Sequence, residues 1–218
     1  MRTTIVGCLN LDNSEEAFVS LFPNKRIAYD LETVKALDEN KIVILFRGGE
    51  DIHPSLYGEE RVSMSAAPKL ISSRDAFEAS VFKYAVSKGI PMLGICRGSQ
   101  FLCAMSGGKL VQDVTGHGQT HEIMSDKGEL YMATSTHHQM MFPWMHGVKH
   151  KLIAWSVPKL SQFYVFNPRE TKREIFAEPE IIFFPQTKAL AIQGHPEYKA
   201  QDYPYTVYCN QLVKEYLL

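Results

Sequence analysis

The stretch from Ile90 to Gln100 constrains the fold most strongly, because an apolar run leads directly into two glycines around a cysteine. Residues 92–95 predict a short buried strand, and helical spacing of apolar residues begins after Gly98. Strand, Gly-x-Cys-x-Gly and helix form the cysteine version of the nucleophile elbow, a turn so crowded that glycines must flank the nucleophile. The turn also places Cys96 at a helix N-terminus, where the macrodipole favours the thiolate.

A buried core cysteine beside two turn glycines would give the same short pattern, so a catalytic interpretation needs a base elsewhere in the chain. Near the C-terminus, the apolar run 189–192 leads to Gly194-His195-Pro196-Glu197. Residues two apart in an extended chain point the same way, so the Glu197 carboxylate can reach the His195 imidazole. The sequence therefore predicts a triad in which Cys96 is the nucleophile, His195 the base and Glu197 the group that orients the base.

These residues resemble the class I glutamine amidotransferase superfamily, and within it the gamma-glutamyl hydrolase branch, peptidase C26, which includes gamma-glutamyl-gamma-aminobutyrate hydrolases. Two further segments carry the resemblance: residues 46–57 are similar to the family's Gly-Gly-x-Asp-x-x-Pro-x-x-Tyr loop, and Arg74-Asp75-Ala76-Phe77-Glu78 precedes the elbow. The matches run in order from about residue 42 to residue 198. The resemblance implies an α/β fold, a flavodoxin-like three-layer sandwich with a mostly parallel central sheet.

Gly48 and Gly49 follow the predicted strand 41–46, and paired glycines often form an ordinary turn at a strand end. Acyl transfer also needs backbone N–H groups that stabilise negative charge on the substrate carbonyl oxygen. The resemblance implies that the amides of Gly49 and Arg97 form this oxyanion hole. In the same loop we interpret Asp51 as a capping residue and His53 as a solvated residue.

The resemblance also implies a binding site for the glutamyl group. Thr134-Ser135-Thr136-His137-His138-Gln139 is similar to the family's Asn-Ser-x-His-His-Gln segment, with Thr134 in place of asparagine. Gln100 lies one helical turn after Cys96 on the same face. The implied substrate-binding residues are Gly48, Gln100, His137, His138 and Gln139, and Arg74 and Glu78 are further candidates that could equally be ordinary residues of a helix start.

Adjacent histidines at 137 and 138 raise the alternative of a metal site. Adjacent histidines rarely bind one ion by themselves, and His117 and His121 add no accompanying carboxylate cluster in the sequence. We therefore expect no metal and no organic cofactor.

Composition limits the remaining possibilities. The chain has 218 residues, a formal charge of −1 and four cysteines without zinc-type spacing. We expect one domain over residues 1–218, no nucleic-acid or membrane partner, and, since no signal-peptide pattern is seen, a cytoplasmic location. One departure concerns the pocket: Gly194 stands where the resembled family usually has a bulky aromatic residue.

Local patterns predict four further elements. Asn13-Ser14-Glu15-Glu16 is typical of a cap and first helical turn, and residues 74–88 predict a helix ended by Gly89. Residues 162–178 predict a hairpin or lid. Residues 205–217 predict a closing helix with Val207 among its inward-facing residues.

Three functional hypotheses remain open. The first is Cys96-dependent hydrolysis of a small γ-glutamyl amide through a γ-glutamyl thioester, releasing glutamate and an amine or ammonia. The second is a glutaminase subunit that delivers ammonia to a separate synthetase. The third is a non-catalytic binding module on the same fold.

Overall fold

A computed structural model describes residues 2–10 and 13–218 of the chain. Its main feature is a nine-stranded sheet in the order β2-β1-β3-β4-β13-β12-β9-β6-β7. The strands of this sheet are β1 (Thr4–Cys8), β2 (Asn24–Ala28), β3 (Ile42–Phe46), β4 (Met92–Ile95), β6 (His121–Ser125), β7 (Leu130–Ala133), β9 (Lys151–Ser156), β12 (Pro179–Phe184) and β13 (Ala189–Ile192). The helices are α1 (Leu31–Lys35), α2 (Ser73–Lys88), α3 (Arg97–Met105) and α4 (Pro204–Leu217).

Strand direction confirms the predicted α/β class with a mostly parallel sheet. β2, β1, β3, β4 and β13 pair in parallel, and in the rest of the sheet only β12 and β6 run in the opposite direction. The order of the first five strands is that of flavodoxin-like folds, in which ligands bind outside the carboxyl ends of the strands.

The two faces of the sheet are covered by different helices. β3 is buried along its whole length, and its residues alternate between two apolar clusters, as the twofold repeat of a strand requires. Ile42 and Ile44 pack in the cluster that contains Val81 of α2, whereas Val43 packs in the cluster that contains Leu212 of α4. The predicted three-layer sandwich is therefore confirmed.

Two smaller sheets lie beside the main one. β5 (Lys109–Val111) pairs with β8 (Met140–Phe142), and β10 (Tyr164–Asn167) pairs with β11 (Glu170–Lys172). The second pair confirms the hairpin predicted within residues 162–178. The buried face of this β10–β11 hairpin packs onto β5 and β8 through Tyr164 and Phe166.

Most predicted helices are present, with two corrections. The helix expected from Asn13 is wrong: Asn13 has a positive φ of 71°, incompatible with the extended N-cap position, and only a 3-10 turn forms at Glu16–Phe18. In α4, Val207 is exposed rather than inward-facing. Within residues 2–10 and 13–218, no helix combines the length and apolar character needed to cross a membrane.

Candidate active site

The predicted elbow around Cys96 exists, and its backbone is strained. Cys96 follows β4 directly, precedes α3, and adopts φ 51° and ψ −111°, a conformation that L-residues rarely adopt. A Cβ on Gly98 would lie 1.9 Å from the carbonyl oxygen of Phe46, and a Cβ on Gly94 would lie 2.4 Å from that of Gly98. Both glycines are therefore required by the close approach of three backbone segments, which explains the Gly-x-Cys-x-Gly pattern physically.

His195 lies past the end of β13, the parallel neighbour of β4. Its amide donates to the Thr134 carbonyl oxygen at 2.7 Å, and the Thr134 hydroxyl donates back to the His195 carbonyl oxygen. Its Nδ1 lies 2.7 Å from Glu197 Oε1, and its ring stacks on Tyr198 with the ring centroids 4.3 Å apart. Backbone, carboxylate and aromatic contacts thus fix the orientation of the imidazole.

Cys96 and His195 approach each other across Gly48. A Cβ on Gly48 would lie 3.3 Å from His195 Cε1 and 3.8 Å from Cys96 Cβ, so a side chain there would press between the two groups. His195 Nε2 is buried and makes no hydrogen bond of standard geometry within the described residues. Burial lowers the pKa of His195, but hydrogen bonding and charge interactions with Cys96 and Glu197 outweigh it and raise the pKa to about 10.

The raised pKa of His195 predicts a pH-dependent contribution to stability. Because the folded protein holds this proton up to about pH 10 while the ordinary pKa is 6.5, the contribution is complete below pH 6.5 and is lost as the pH rises toward 10. We expect the difference in free energy of unfolding between wild type and His195→Gln to shrink across that window, as measured by urea unfolding. The prediction would be contradicted if the difference in free energy of unfolding between the two proteins stayed constant from pH 6.5 to pH 10.

The two proposed oxyanion donors belong to segments that meet at Cys96. Arg97 follows Cys96 directly as the first residue of α3, and the first N–H groups of a helix have no acceptor within it. Gly49 lines the same cavity as Cys96 and adopts φ 135°, a conformation that favours glycine; a Cβ there would lie 2.5 Å from the Arg74 guanidinium. That the two amides stabilise an oxyanion stays a prediction.

A buried ion cluster, not foreseen from the sequence, holds the start of α3. The Arg97 guanidinium lies 2.5 Å from Asp75 Oδ1 and contacts Glu78, both on α2, and all three side chains are almost fully buried. Arg74 Nε donates to Glu78 Oε1 at 2.9 Å and its other nitrogen donates to the Arg47 carbonyl oxygen. Glu78 therefore faces the cluster rather than the substrate side, and Arg74 borders the site near Gly49.

A small cavity of about 130 Å³ opens beside Cys96. Four of the five predicted substrate-binding residues line it, namely Gln100, His137, His138 and Gln139. The Gln139 carbonyl oxygen accepts from Gln100 Nε2 at 3.1 Å and lies 2.8 Å from His137 Nδ1, so this backbone group is already occupied. The Gln139 side-chain oxygen, in contrast, is buried without a partner in the described residues and can accept from a ligand. A larger apolar cavity of about 380 Å³ near Phe176 is lined by neither Cys96 nor His195.

His138 and Asp51 form the outer part of this cavity. His138 Nε2 lies 3.2 Å from Asp51 Oδ1, and Nδ1 lies 3.6 Å from Asp113 Oδ1. These carboxylates raise the pKa of His138, chiefly through the hydrogen bond to Asp51. Asp51 accepts from the Ala66 amide at 2.7 Å, so it caps a loop as expected and also lines the cavity, a second role that the sequence did not reveal. His53, expected to be solvated, instead caps the 3-10 turn Pro54–Tyr57.

Behind the cavity lies a buried cluster that the sequence analysis missed. His117, His121 and His137 surround Glu180, and Glu178 lies on the far side of His117. The expectation that no carboxylate accompanies these histidines is therefore wrong, and the ground for excluding a metal is removed. The available signal was a pair of glutamates next to an apolar run, Glu178 just before β12 and Glu180 within it, where an unpaired charge would be costly.

Close packing explains why residue 194 is a glycine in this chain. A Cβ there would lie 2.5 Å from the Tyr205 hydroxyl oxygen and 2.7 Å from the Thr134 carbonyl oxygen. Tyr205 of α4 is fully buried and fills the space that a larger residue at position 194 would need.

We expect Gly194→Ala to lower the free energy of unfolding by about 1–3 kcal/mol, because the added methyl group overpacks a rigid site. Tyr205→Phe removes a buried hydroxyl that has no partner in the described chain, so it should recover part of this loss in the double variant. Urea unfolding of the two single variants and the double variant measures the coupling. Independent, additive effects would show that the two positions do not compete for space.

The strand order, the cysteine elbow and the His–Glu pair at the next strand end together define a class I glutamine amidotransferase-like fold. The family model described as Peptidase C26 matches residues 18–151, more than half of the chain. The chain belongs to the peptidase C26 family, as its motifs predicted.

Similar proteins agree with this assignment. A protein of Schizosaccharomyces pombe provisionally named as a glutamine amidotransferase is 37% identical over 101 residues, covering 40% of this chain and 39% of that protein. The glutamine amidotransferase-like protein YvdE homolog of Lactococcus lactis subsp. cremoris is 36% identical over 119 residues, covering 45% of this chain and 62% of that protein. The matched region thus spans less than two thirds of either relative.

Solved structures show the fold. PurLQS from Thermotoga maritima contains a chain with a TM-score of 0.60 at 13% identity, covering 98% of this chain and 100% of that chain. A glutamine amidotransferase from Thermotoga maritima has a TM-score of 0.54 at 16% identity, covering 99% of this chain and 86% of that chain.

Proposed function

We propose that this protein hydrolyses a γ-glutamyl amide bond through a thioester on Cys96. The observation that carries the proposal is the strained cysteine at the elbow, which faces a histidine already oriented by Glu197. A degenerate binding module would have no need to retain this strain, which costs on the order of 1–3 kcal/mol.

In the first half of the reaction, the Cys96 thiolate attacks the γ-carbonyl carbon, and the carbonyl π electrons move to its oxygen. The amides of Gly49 and Arg97 stabilise this oxyanion. The C–N bond then breaks, and His195 donates its proton to the departing amine or ammonia. A γ-glutamyl thioester remains on Cys96.

In the second half, His195 takes a proton from water, and the resulting hydroxide attacks the thioester carbonyl. The C–S bond breaks, its electron pair stays on Cys96 as the thiolate, and glutamate leaves. The proton taken from water remains on His195, which replaces the one given to the amine. Glu197 stabilises the imidazolium in both halves. No cofactor enters either step.

The small size and polar lining of the cavity support a glutamyl group as the acyl group of the substrate. Gln100 and the free side-chain oxygen of Gln139 are hydrogen-bonding partners for its α-amino group, and His138, whose pKa is raised, is suited to its α-carboxylate. The family resemblance favours hydrolysis of γ-glutamyl amines or peptides. Delivery of ammonia to a separate synthetase would use the same residues and differ in the fate of the leaving group.

The direct test is acid quenching during turnover followed by intact mass measurement. We expect a γ-glutamyl adduct on the peptide that contains Cys96, and we expect hydroxylamine to remove it, because thioesters react with that nucleophile. Incubation with glutamine, γ-glutamyl amines and γ-glutamyl peptides in turn shows which amine is released. A protein that forms no adduct with any of them would contradict the proposal, whereas an adduct from glutamine alone would favour the glutaminase alternative.

A further inference from the structure

A second candidate site lies behind the cavity, and none of its residues belongs to the Cys96–His195–Glu197 triad. Side-chain ligand atoms of His117, His137 and Glu180 all lie within 4.8 Å of one another, and all three residues are buried. Glu180 Oε1 is 3.2 Å from His117 Nδ1 and 3.4 Å from His137 Nε2. In tetrahedral zinc sites, bonds of about 2.0–2.2 Å place neighbouring ligand atoms roughly 3.3–3.6 Å apart, so the observed separations are close to those that a bound ion requires.

The outward-facing ring nitrogen of each histidine lies near an oxygen acceptor. His137 Nδ1 lies 2.8 Å from the Gln139 carbonyl oxygen, to which it can donate, and His117 Nε2 lies 3.3 Å from Glu178 Oε2 without forming a hydrogen bond of standard geometry. Metal-binding histidines usually donate their second N–H to a carbonyl or carboxylate, which directs the other nitrogen's lone pair at the ion. The contact with Gln139 therefore assigns the lone pair of His137 to Nε2, the nitrogen that faces Glu180.

Unpartnered atoms give a second, independent observation. Within the described residues, both ring nitrogens of His117, Nε2 of His137 and Oε2 of Glu180 are buried and have no hydrogen-bond partner. Buried polar atoms are nearly always satisfied, and a nitrogen lone pair facing a carboxylate oxygen is repelled unless a cation lies between them. A divalent ion bound between the two imidazoles and the Glu180 carboxylate would partner these buried groups together.

We propose that His117 Nδ1, His137 Nε2 and Glu180 Oε1 bind one Zn²⁺ ion. His121 Nε2, 3.0 Å from Glu180 Oε1, or a water molecule takes the fourth position. Imidazole nitrogens with one carboxylate oxygen form a donor set typical of zinc. The ion would be structural, because it joins strand β12 to the segment 134–139 that forms one wall of the cavity.

Metal titration of the untagged, chelator-treated protein tests this site. We expect one equivalent of Co²⁺ to give the intense visible absorption of tetrahedral coordination and one equivalent of Zn²⁺ to displace it. At a hundredfold excess over Kd, Zn²⁺ should raise Tm by about 5–10 °C. A weak, octahedral-type spectrum or uptake well below one equivalent in wild type overturns the proposal, and this reading depends on no variant.

A pair of variants locates the ion. Glu180→Gln keeps the side-chain shape but removes the anionic ligand, so we expect zinc affinity to fall more than about hundredfold in a chromogenic chelator competition. His146→Gln changes an exposed histidine outside the cluster and should leave affinity unchanged. Equal zinc affinity in wild type and Glu180→Gln, or a loss in His146→Gln, would overturn the assignment. None of these readings uses glutamate release, so failure here would leave the proposed hydrolase function standing.

Discussion

Cys96→Ala is expected to lower the rate of glutamate release by about 10⁴-fold or more, the largest functional effect available in this chain. The substitution removes the only atom that can form the thioester while it retains the Cβ, so the strained backbone at φ 51° meets no new clash. Initial rates of glutamate release from the best substrate of the γ-glutamyl panel provide the measurement.

Cys103→Ala is the matched control for this loss. Cys103 is also a buried cysteine on α3, but it packs in the core and its thiol lies 3.5 Å from the Lys109 carbonyl oxygen. We expect its removal to leave the rate within a few-fold of wild type. Comparable activity in Cys96→Ala and wild type would eliminate the thioester mechanism.

Glu78→Ala is expected to lower the free energy of unfolding by about 3–5 kcal/mol, the largest effect on stability. Its carboxylate is completely buried and contacts both Arg97 and Arg74, so its removal leaves buried positive charge with Asp75 as the remaining partner. For a chain of this length, the corresponding loss in Tm is about 6–20 °C. Urea and thermal unfolding give the two values.

An exposed ion pair provides the control for Glu78. Glu32 pairs with Lys35 at 2.7 Å, but its side chain is 80% exposed, and exposed pairs contribute little because water screens them. Glu32→Ala should therefore change Tm by no more than a degree or two. Similar losses in both variants would show that the buried cluster does not hold the α2–α3 junction.

The elbow itself could be predicted because its constraints are local. Close backbone approach demands glycine at Gly94 and Gly98, and the strand before and the helix after Cys96 follow from the periodicity of adjacent residues. The same holds for Glu197, two residues from His195. Short-range geometry of this kind leaves a direct imprint on sequence spacing.

The sequence-based predictions that were wrong concern a backbone conformation and side chains whose neighbours come from distant segments. The Asn13 pattern is a favourable helix start, yet the positive φ of Asn13 excludes it. The spacing of His117 and His121 indicates no accompanying carboxylate cluster, but Glu180 of β12 lies 3.0 Å from His121 Nε2 in the fold. Spacing along the chain contains no information about a neighbour that comes from so distant a segment.

The sequence by itself determined the nucleophile elbow and the order of the motifs, because these depend on backbone sterics and on residues a few positions apart. The α/β class was implied by the family resemblance that those motifs carry. Only the tertiary structure decided which side chains meet in the interior. Glu180 lies next to His117, and Glu78 next to Arg97, through contacts between separate elements of the fold. Buried charges require partners, but only the packing of strands and helices determines which partner lies opposite each one.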